Sequence, residues 1–293
     1  MDYMRDSIED EYGIRSLQDK ILKIAVYIDT ICREHGIQYC LMGGSALGAL
    51  RHDGFIPWDD DLDIFMTPDA FEKFRTVFNK QGDKATFYLQ QLMHRNEMIA
   101  SAKLRLNHTA YIEEAIKDWN VHQGIFVDIF ILHNCPNNRI GQFIQCVSAK
   151  YILAKGQSLK SVPYSGLKKY ILAICKHLPR DFGIKHALKQ LYKYNEKSTD
   201  YTCHFMGKAF FTKGIYKSEW FEQYKRVPFE KVELCIAEKA HEYLTERFGE
   251  YMKLPPKESI QMSQHAWKWD VAKDFAVYCE NCDGSYHDEV DLV

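Results

Sequence analysis

The stretch Gly43-Gly44-Ser45-Ala46-Leu47-Gly48-Ala49-Leu50-Arg51-His52-Asp53-Gly54-Phe55-Ile56-Pro57-Trp58-Asp59-Asp60-Asp61-Leu62-Asp63-Ile64-Phe65-Met66 decides how this chain is read. It follows a short apolar run, Ile37 to Met42, that reads as a strand, and Ala46 to Arg51 reads as a short helix. Gly43, Gly44 and Ser45 therefore stand at a strand-to-helix turn, where backbone N–H groups can approach a phosphate closely. A turn-rich loop leads into the acidic run, which ends as a second strand. Period-two geometry there puts Asp61 and Asp63 on one face. Adjacent carboxylates repel unless a positive charge lies between them. A hard divalent cation that prefers oxygen ligands, Mg²⁺ or Mn²⁺, is the natural guest. The run is not an EF-hand, because Ile64 stands where that loop needs glycine.

Asp128 lies within Phe126-Val127-Asp128-Ile129-Phe130, where an unpaired carboxylate would be costly; the expectation is that it completes the same site from a neighbouring strand. Each feature alone has an ordinary reading: a loop, a solvated acidic face, a satisfied buried acid. Turn glycines, then D-x-D, then a lone Asp in an apolar strand together form the pattern of the nucleotidyltransferase fold. The fold class is therefore α+β, a mixed sheet flanked by helices, with a helical insertion and a C-terminal helical part. Residues 14–35 and a segment starting at Thr67-Pro68 read as amphipathic helices, the latter burying Phe71, Phe74 and Phe78. Segments 86–92, 98–106, 125–132 and 227–234 read as strands, and 236–248 as a helix capped by Gly249. The expected organisation is a catalytic core with its N-terminal helix over 1–135, a basic helical insertion over 136–200, and a region over 201–293 that completes the catalytic domain.

Composition bounds the function. With 293 residues and 46% hydrophobic content, the chain can bury a full core. Its 38 Lys and Arg against 40 Asp and Glu argue against a dedicated nucleic-acid binder. No apolar run reaches the ~18 residues of a membrane span, and the polar start, Met1 to Asp6, is unlike a secretory signal. A cytoplasmic protein is expected. The net charge of −2 is unevenly distributed, however. Residues 139–195 hold eleven Lys and Arg against the single acid Asp181, a net of +10, so the remainder carries −12. This segment is either the solvated face of a helical insertion or a docking surface for anionic membrane or a lipid-diphosphate-linked acceptor, peripheral on the inner face of the membrane. Nine cysteines mostly stand singly, as buried thiols do; Cys279 and Cys282 have ligand-like spacing but no second pair, and read as reduced thiols.

The stretch from Gly36 to Ile64, centred on Ile56-Pro57-Trp58-Asp59-Asp60-Asp61, resembles the signature of the LicD family. That family includes bacterial phosphocholine transferases and resembles the fukutin-type ribitol-phosphate transferases. Agreement extends to Lys103-Leu104-Arg105-Leu106, Val127-Asp128-Ile129-Phe130, Phe211 to Tyr216 and Phe248 to Pro256. Ser45 and Ala46 stand where many members have Thr and Leu, which keeps a hydroxyl. The resemblance implies metal-dependent transfer of a phospho-alcohol, phosphocholine foremost, from a CDP-linked donor to a hydroxyl, with release of CMP. The implied acceptor is a cell-surface glycan such as lipopolysaccharide or teichoic acid, or its lipid-linked precursor. Asp61 and Asp63 would hold Mg²⁺ or Mn²⁺ against the donor diphosphate, while Asp128 shares the metal or deprotonates the acceptor. Gly43, Gly44 and Ser45 would cradle phosphate oxygens, with Arg51, Lys103 and Arg105 countering the remaining charge. His52 and His265 are lesser candidates, and Trp58 packs the aspartate loop. Two other readings stay open: transfer of the nucleotidyl group itself, and an inactive scaffold of the same fold. The alcohol is not fixed, since 18 Tyr, 17 Phe and 5 Trp could cage a quaternary ammonium or simply pack a core.

Overall fold

Leu17, Ile21, Ile24, Ile28 and Ile31 recur three and four residues apart, and in the computed structural model they form the buried face of α1 (Arg15–Glu34). The structure describes residues 10–91, 101–160, 164–179, 181–207, 209–256, 260 and 265–279. After α1 come β1 (Cys40–Leu41), α2 (Gly43–His52), β2 (Asp63–Met66), α3 (Pro68–Gln81), β3 (Phe87–Gln90), β4 (Ala102–Leu106), β5 (Ala110–Ile112) and β6 (Phe126–Ile131). Five of these strands make one mixed sheet in the order β1-β2-β6-β4-β3. The central pair β2 and β6 is parallel, and every other pairing is antiparallel. This is the α+β mixed sheet that the acidic pattern predicts. Its main core joins α1, α2 and α3 to the sheet through Ile24, Ile64, Phe74, Leu104 and Val127.

Thr67 caps α3 as its sequence announces, its hydroxyl accepting from the Ala70 N–H at 3.2 Å with Pro68 in the first turn. Thr67→Ala is expected to cost about 1 kcal/mol, read as a lowered midpoint in urea with unchanged slope.

The rest of the chain forms β7 (His133–Cys135), α4 (Arg139–Leu159), α5 (Gly166–His177), α6 (Ile184–Tyr192), β8 (Tyr201–Cys203), β9 (Ile215–Lys217), β10 (Tyr224–Phe229), β11 (Val232–Ala237), α7 (Ala240–Phe248) and β12 (Lys268–Asp270). Strands β7, β8 and β9 form a second small sheet, against which α4 and α6 pack with Cys146, Ile152, Leu188 and Phe205 in a separate core. Among the described residues, no helix is long and apolar enough to cross a membrane.

Four local expectations are corrected. The glycines belong to α2 itself, which starts at Gly43 with φ of +51°, a left-handed conformation natural to glycine. The ladder of β2 starts at Asp63, so Asp61 lies in its lead-in rather than in the strand. The expected single strand 227–234 is a hairpin of β10 and β11 whose turn holds Glu230 at φ of +55°; no Gly or Asn marks it, and Ile236 belongs to β11, not to α7. Finally, Cys279 is disulfide-bonded, not reduced, whereas the other seven described cysteines are free. Cys282 lies outside the described residues, as do residues 98–100 of the strand expected over 98–106.

Candidate active site

The parallel pairing of β2 with β6 sets Asp63 directly beside Asp128. The antiparallel pairing of β6 with β4 then sets Lys103 beside Asp128. Three adjacent strands thus present acid, acid and base in one row. Asp128 is held from both sides: Ser101 Oγ donates to its Oδ1 at 2.6 Å, and Lys103 Nζ lies 2.9 Å from Oδ1 and 3.0 Å from Oδ2. Lys103 is buried, with Nζ 3.4 Å from the centroid of the Phe126 ring and 4.0 Å from Glu113.

Burial alternates through the approach to β2. Asp59, Asp61 and Asp63 are half-buried, while Asp60, Leu62 and Ile64 are buried. The shared face of Asp61 and Asp63 thus comes from an extended lead-in, and Asp59 joins it. Burial and the neighbouring acids push Asp59 up to about 7; burial and Asp60 and Asp128, offset by His265, push Asp61 up to about 6. Asp63, between Asp61 and Asp128, is raised well above the usual carboxylate range by burial and both charges. The centre is short of positive charge.

On the other side of the chain, Asp60 accepts from Tyr111 Oη at 3.0 Å and from the His265 backbone N–H at 3.0 Å, and its Oδ1 lies 2.9 Å from His265 Nδ1. His265 Nδ1 is also 3.7 Å from Asp61, and its bond to Asp60 together with the nearby acids raises it to about 9. Among the described residues, Asp60, Asp61 and His265 are the group whose ligand atoms lie within 4.8 Å of one another. Asp63 and Asp128, expected to share a metal with Asp61, stand outside that group.

The loop carrying the aspartates is fixed by distant parts of the chain. Gln18 of α1 donates to the carbonyls of Asp59 and Ile56, and Glu230 in the β10–β11 turn accepts from the Phe55 N–H. Gly48 lets α2 come this close, since a Cβ there would sit 2.5 Å from the Gly54 carbonyl oxygen. Trp58 packs edge-on against Tyr12 and His52.

The structure divides the expected phosphate contacts. The Gly43 N–H donates to Tyr243 Oη and the Ser45 N–H to the Met42 carbonyl, so both are already engaged. Ser45 Oγ accepts from the Asp63 N–H at 2.8 Å and so positions that aspartate. Gly44 faces Asp59, whose Oδ2 would lie 3.1 Å from an added Cβ. Arg51 donates to the carbonyls of Tyr251 and Lys253 and to His52 Nε2. His52 is buried and burial lowers it to about 4. Arg105 is 1% exposed and donates to Gln90 and the Gly124 carbonyl. Arg51, His52 and Arg105 therefore brace the fold around the site, and Lys103 is the cation of that set that meets the aspartates.

Asp59, Asp60 and Arg247 were not foreseen as site residues. Asp59 shares the parity of Asp61 and Asp63, a signal that was present in the acidic run. Arg247 of α7 stacks its guanidinium 5.2 Å from Phe248, donates to Tyr216 Oη at 2.9 Å, and has Nε 3.9 Å from where a Gly43 Cβ would be. Its charge interacts with Asp63. It stands two hundred positions from the glycine turn, and no local pattern singles it out.

The family model "LicD/FKTN/FKRP, nucleotidyltransferase domain" matches residues 36–144, the span that contains the glycine turn, the aspartate run, Lys103 and Asp128. That match covers 109 of the 293 residues. The chain's LicD-type similarity extends further: it is 27% identical over 261 residues to the lipopolysaccharide cholinephosphotransferase LicD of Haemophilus influenzae, covering 84% of this chain and 93% of that one. It is 48% identical over 40 residues to the ribitol 5-phosphate transferases FKRP of Mus musculus and Homo sapiens, covering 14% of this chain and 8% of theirs.

Proposed function

We propose that this protein transfers a phospho-alcohol, phosphocholine foremost, from a CDP-linked donor to a hydroxyl of a cell-surface glycan or its lipid-linked precursor, releasing CMP. The observation that carries the reading is the row Asp63–Asp128–Lys103 across three strands, joined by Asp59 and Asp61. The likeness to a cholinephosphotransferase over most of both chains supports the substrate class.

The donor set suits a hard divalent cation: the centre is built of carboxylate oxygens whose mutual repulsion keeps them from ionising freely. Asp61, Asp63 and Asp128 would hold it, with Asp60 and His265 adjoining. When bound, such an ion neutralises the donor diphosphate and the charge that develops on the departing CMP. Both oxygens of Asp128 already accept from Ser101 and Lys103, which suits an orienting or ligating carboxylate better than a proton acceptor. Asp59, held near 7, is better matched to take the proton of the acceptor hydroxyl. Arg247, beside Gly43 and Asp63, supplies a guanidinium to phosphate oxygens. Arg247→Gln is expected to lower kcat/KM for the donor by about 10²-fold, the scale of one charge-assisted contact made in the transition state. Steady-state kinetics at saturating acceptor checks this, with circular dichroism to show that α7 persists.

The same centre could instead transfer the nucleotidyl group. A donor screen with CDP-choline, CDP-ribitol, CDP-glycerol and CDP-ethanolamine separates the two. Release of free CMP with one donor supports the proposal and identifies the alcohol, and CMP attached to the acceptor sinks it.

A further inference from the structure

Helix α4 carries two apolar faces, one of which, Cys146, Ala149 and Ile152, packs into the second core while the other is exposed. At i, i+3, i+4 and i+7 it carries Ile140, Phe143, Ile144 and Val147, and these are 76%, 50%, 46% and 45% exposed. Its inward side buries Gln142, Gln145 and Lys155 along with the packed apolar face. Those polar groups are fixed. Gln142 donates to the Pro136 carbonyl, Gln145 to those of Asn134 and Leu191, and Lys155 to those of Cys175, Leu178 and Pro179. The helix cannot roll its apolar stripe inward without breaking them. Helix α5 repeats the pattern. Leu167, Tyr170, Ile171 and Ile174 share the same spacing and are exposed, while Leu172 and Cys175 alone in that helix are buried. Water-facing helices of soluble domains carry the opposite arrangement, and exposed apolar stripes of this length mark an interaction face.

We propose that the outward faces of α4 and α5 dock on an anionic membrane surface. Charge selects this occupant. Lys168, Lys169 and Lys176 are exposed on α5 outside its apolar stripe, Lys168 nearest to it, with Lys185, Lys189 and Lys193 exposed on and after α6, in a segment of net charge +10. A second copy of the chain would bring two such segments into repulsion, whereas an anionic leaflet complements them. An apolar stripe on one side of a helix with lysines on its remainder matches the headgroup boundary, where the stripe enters and the ammonium groups stay in water. The C-terminal end of α4 reaches toward the acidic centre. Lys160, at the end of α4, lies 3.6 Å from Glu113, which Lys103 approaches at 4.0 Å.

This inference stands apart from the transfer reading, because vesicle binding requires neither donor nor metal. The test is sedimentation of the full chain with vesicles of phosphatidylcholine alone and of phosphatidylcholine mixed with phosphatidylglycerol, at low and high salt. Binding to the mixed vesicles, lost at high salt, is expected. Combining Leu167→Ser, Ile171→Ser and Ile174→Ser should release the protein without lowering its Tm, since all three side chains are exposed. Combining Lys168→Gln, Lys169→Gln and Lys176→Gln should weaken binding by about 10²-fold, from about fivefold for each lysine. Failure to bind the mixed vesicles overturns the proposal, as does equal, salt-insensitive binding to phosphatidylcholine. So does a dimer that the serine substitutions dissolve in a protein that ignores vesicles.

Discussion

Asp63→Asn is expected to abolish transfer and, in metal-free buffer, to raise the melting temperature. Asp63 is buried within the site and lies between Asp61 and Asp128, and its carboxylate is harder to ionise for both reasons, burial foremost. The amide keeps the shape and removes one repelling charge, which should add about 1 kcal/mol of stability. The sign of the pH dependence follows. A carboxylate whose folded pKa is raised weakens the fold only once pH exceeds the ordinary value near 4, and its penalty grows until pH passes the folded value. The advantage of the variant should thus grow as pH rises above about 4 and level off only once pH passes the raised folded value of Asp63. Adding Mg²⁺ should reverse the order, because the wild-type carboxylates gain a partner and the variant loses a ligand. Activity should fall by at least ~10³-fold. Differential scanning calorimetry with and without Mg²⁺ at three pH values, beside a CMP-release assay, checks both halves. A variant that is less stable than wild type in chelator would show that Asp63 is a structural acid.

Lys103→Met has the opposite effect on stability. The ammonium is buried, bonds Asp128, faces Glu113 and covers the Phe126 ring. Methionine replaces its length but leaves Asp128 in an acidic centre with Ser101 as its remaining donor among the contacts described above. Removing one member of a buried ion pair costs about 3 kcal/mol, a drop of roughly 5 °C in a chain of this size. Mg²⁺ should recover part of the loss, and thermal unfolding at rising Mg²⁺ concentration measures how much. An unchanged Tm in chelator would mean that the Lys103–Asp128 contact carries no weight.

What was legible in the sequence was whatever a short window holds. The apolar spacing of α1, the Thr67-Pro68 start and the need of Asp128 for partners were each dictated locally, and the last one placed β6 beside β2. The left-handed residue Glu230 hid the hairpin because no glycine announced it. Arg51, Lys103 and Arg105 are of one chemical class, and nothing in their neighbours tells that Arg105 is buried on Gln90 while Lys103 meets the acids. The contacts of Tyr243 and Arg247 with the glycine turn close a loop of two hundred residues, which no window spans. In α4, Ile140, Phe143, Ile144 and Val147 face outward while Gln145 and Lys155 bond inward, an arrangement that only the tertiary contacts reveal.

The central claim is that this acidic row moves a phospho-alcohol. The most direct measurement is the mass of the acceptor after incubation with a CDP-alcohol and Mg²⁺, for wild type and Asp63→Asn. The wild-type product should gain the mass of the phosphorylated alcohol alone, with equimolar CMP in solution and no gain for the variant. A gain equal to the CMP group, or the same product from both proteins, would contradict it.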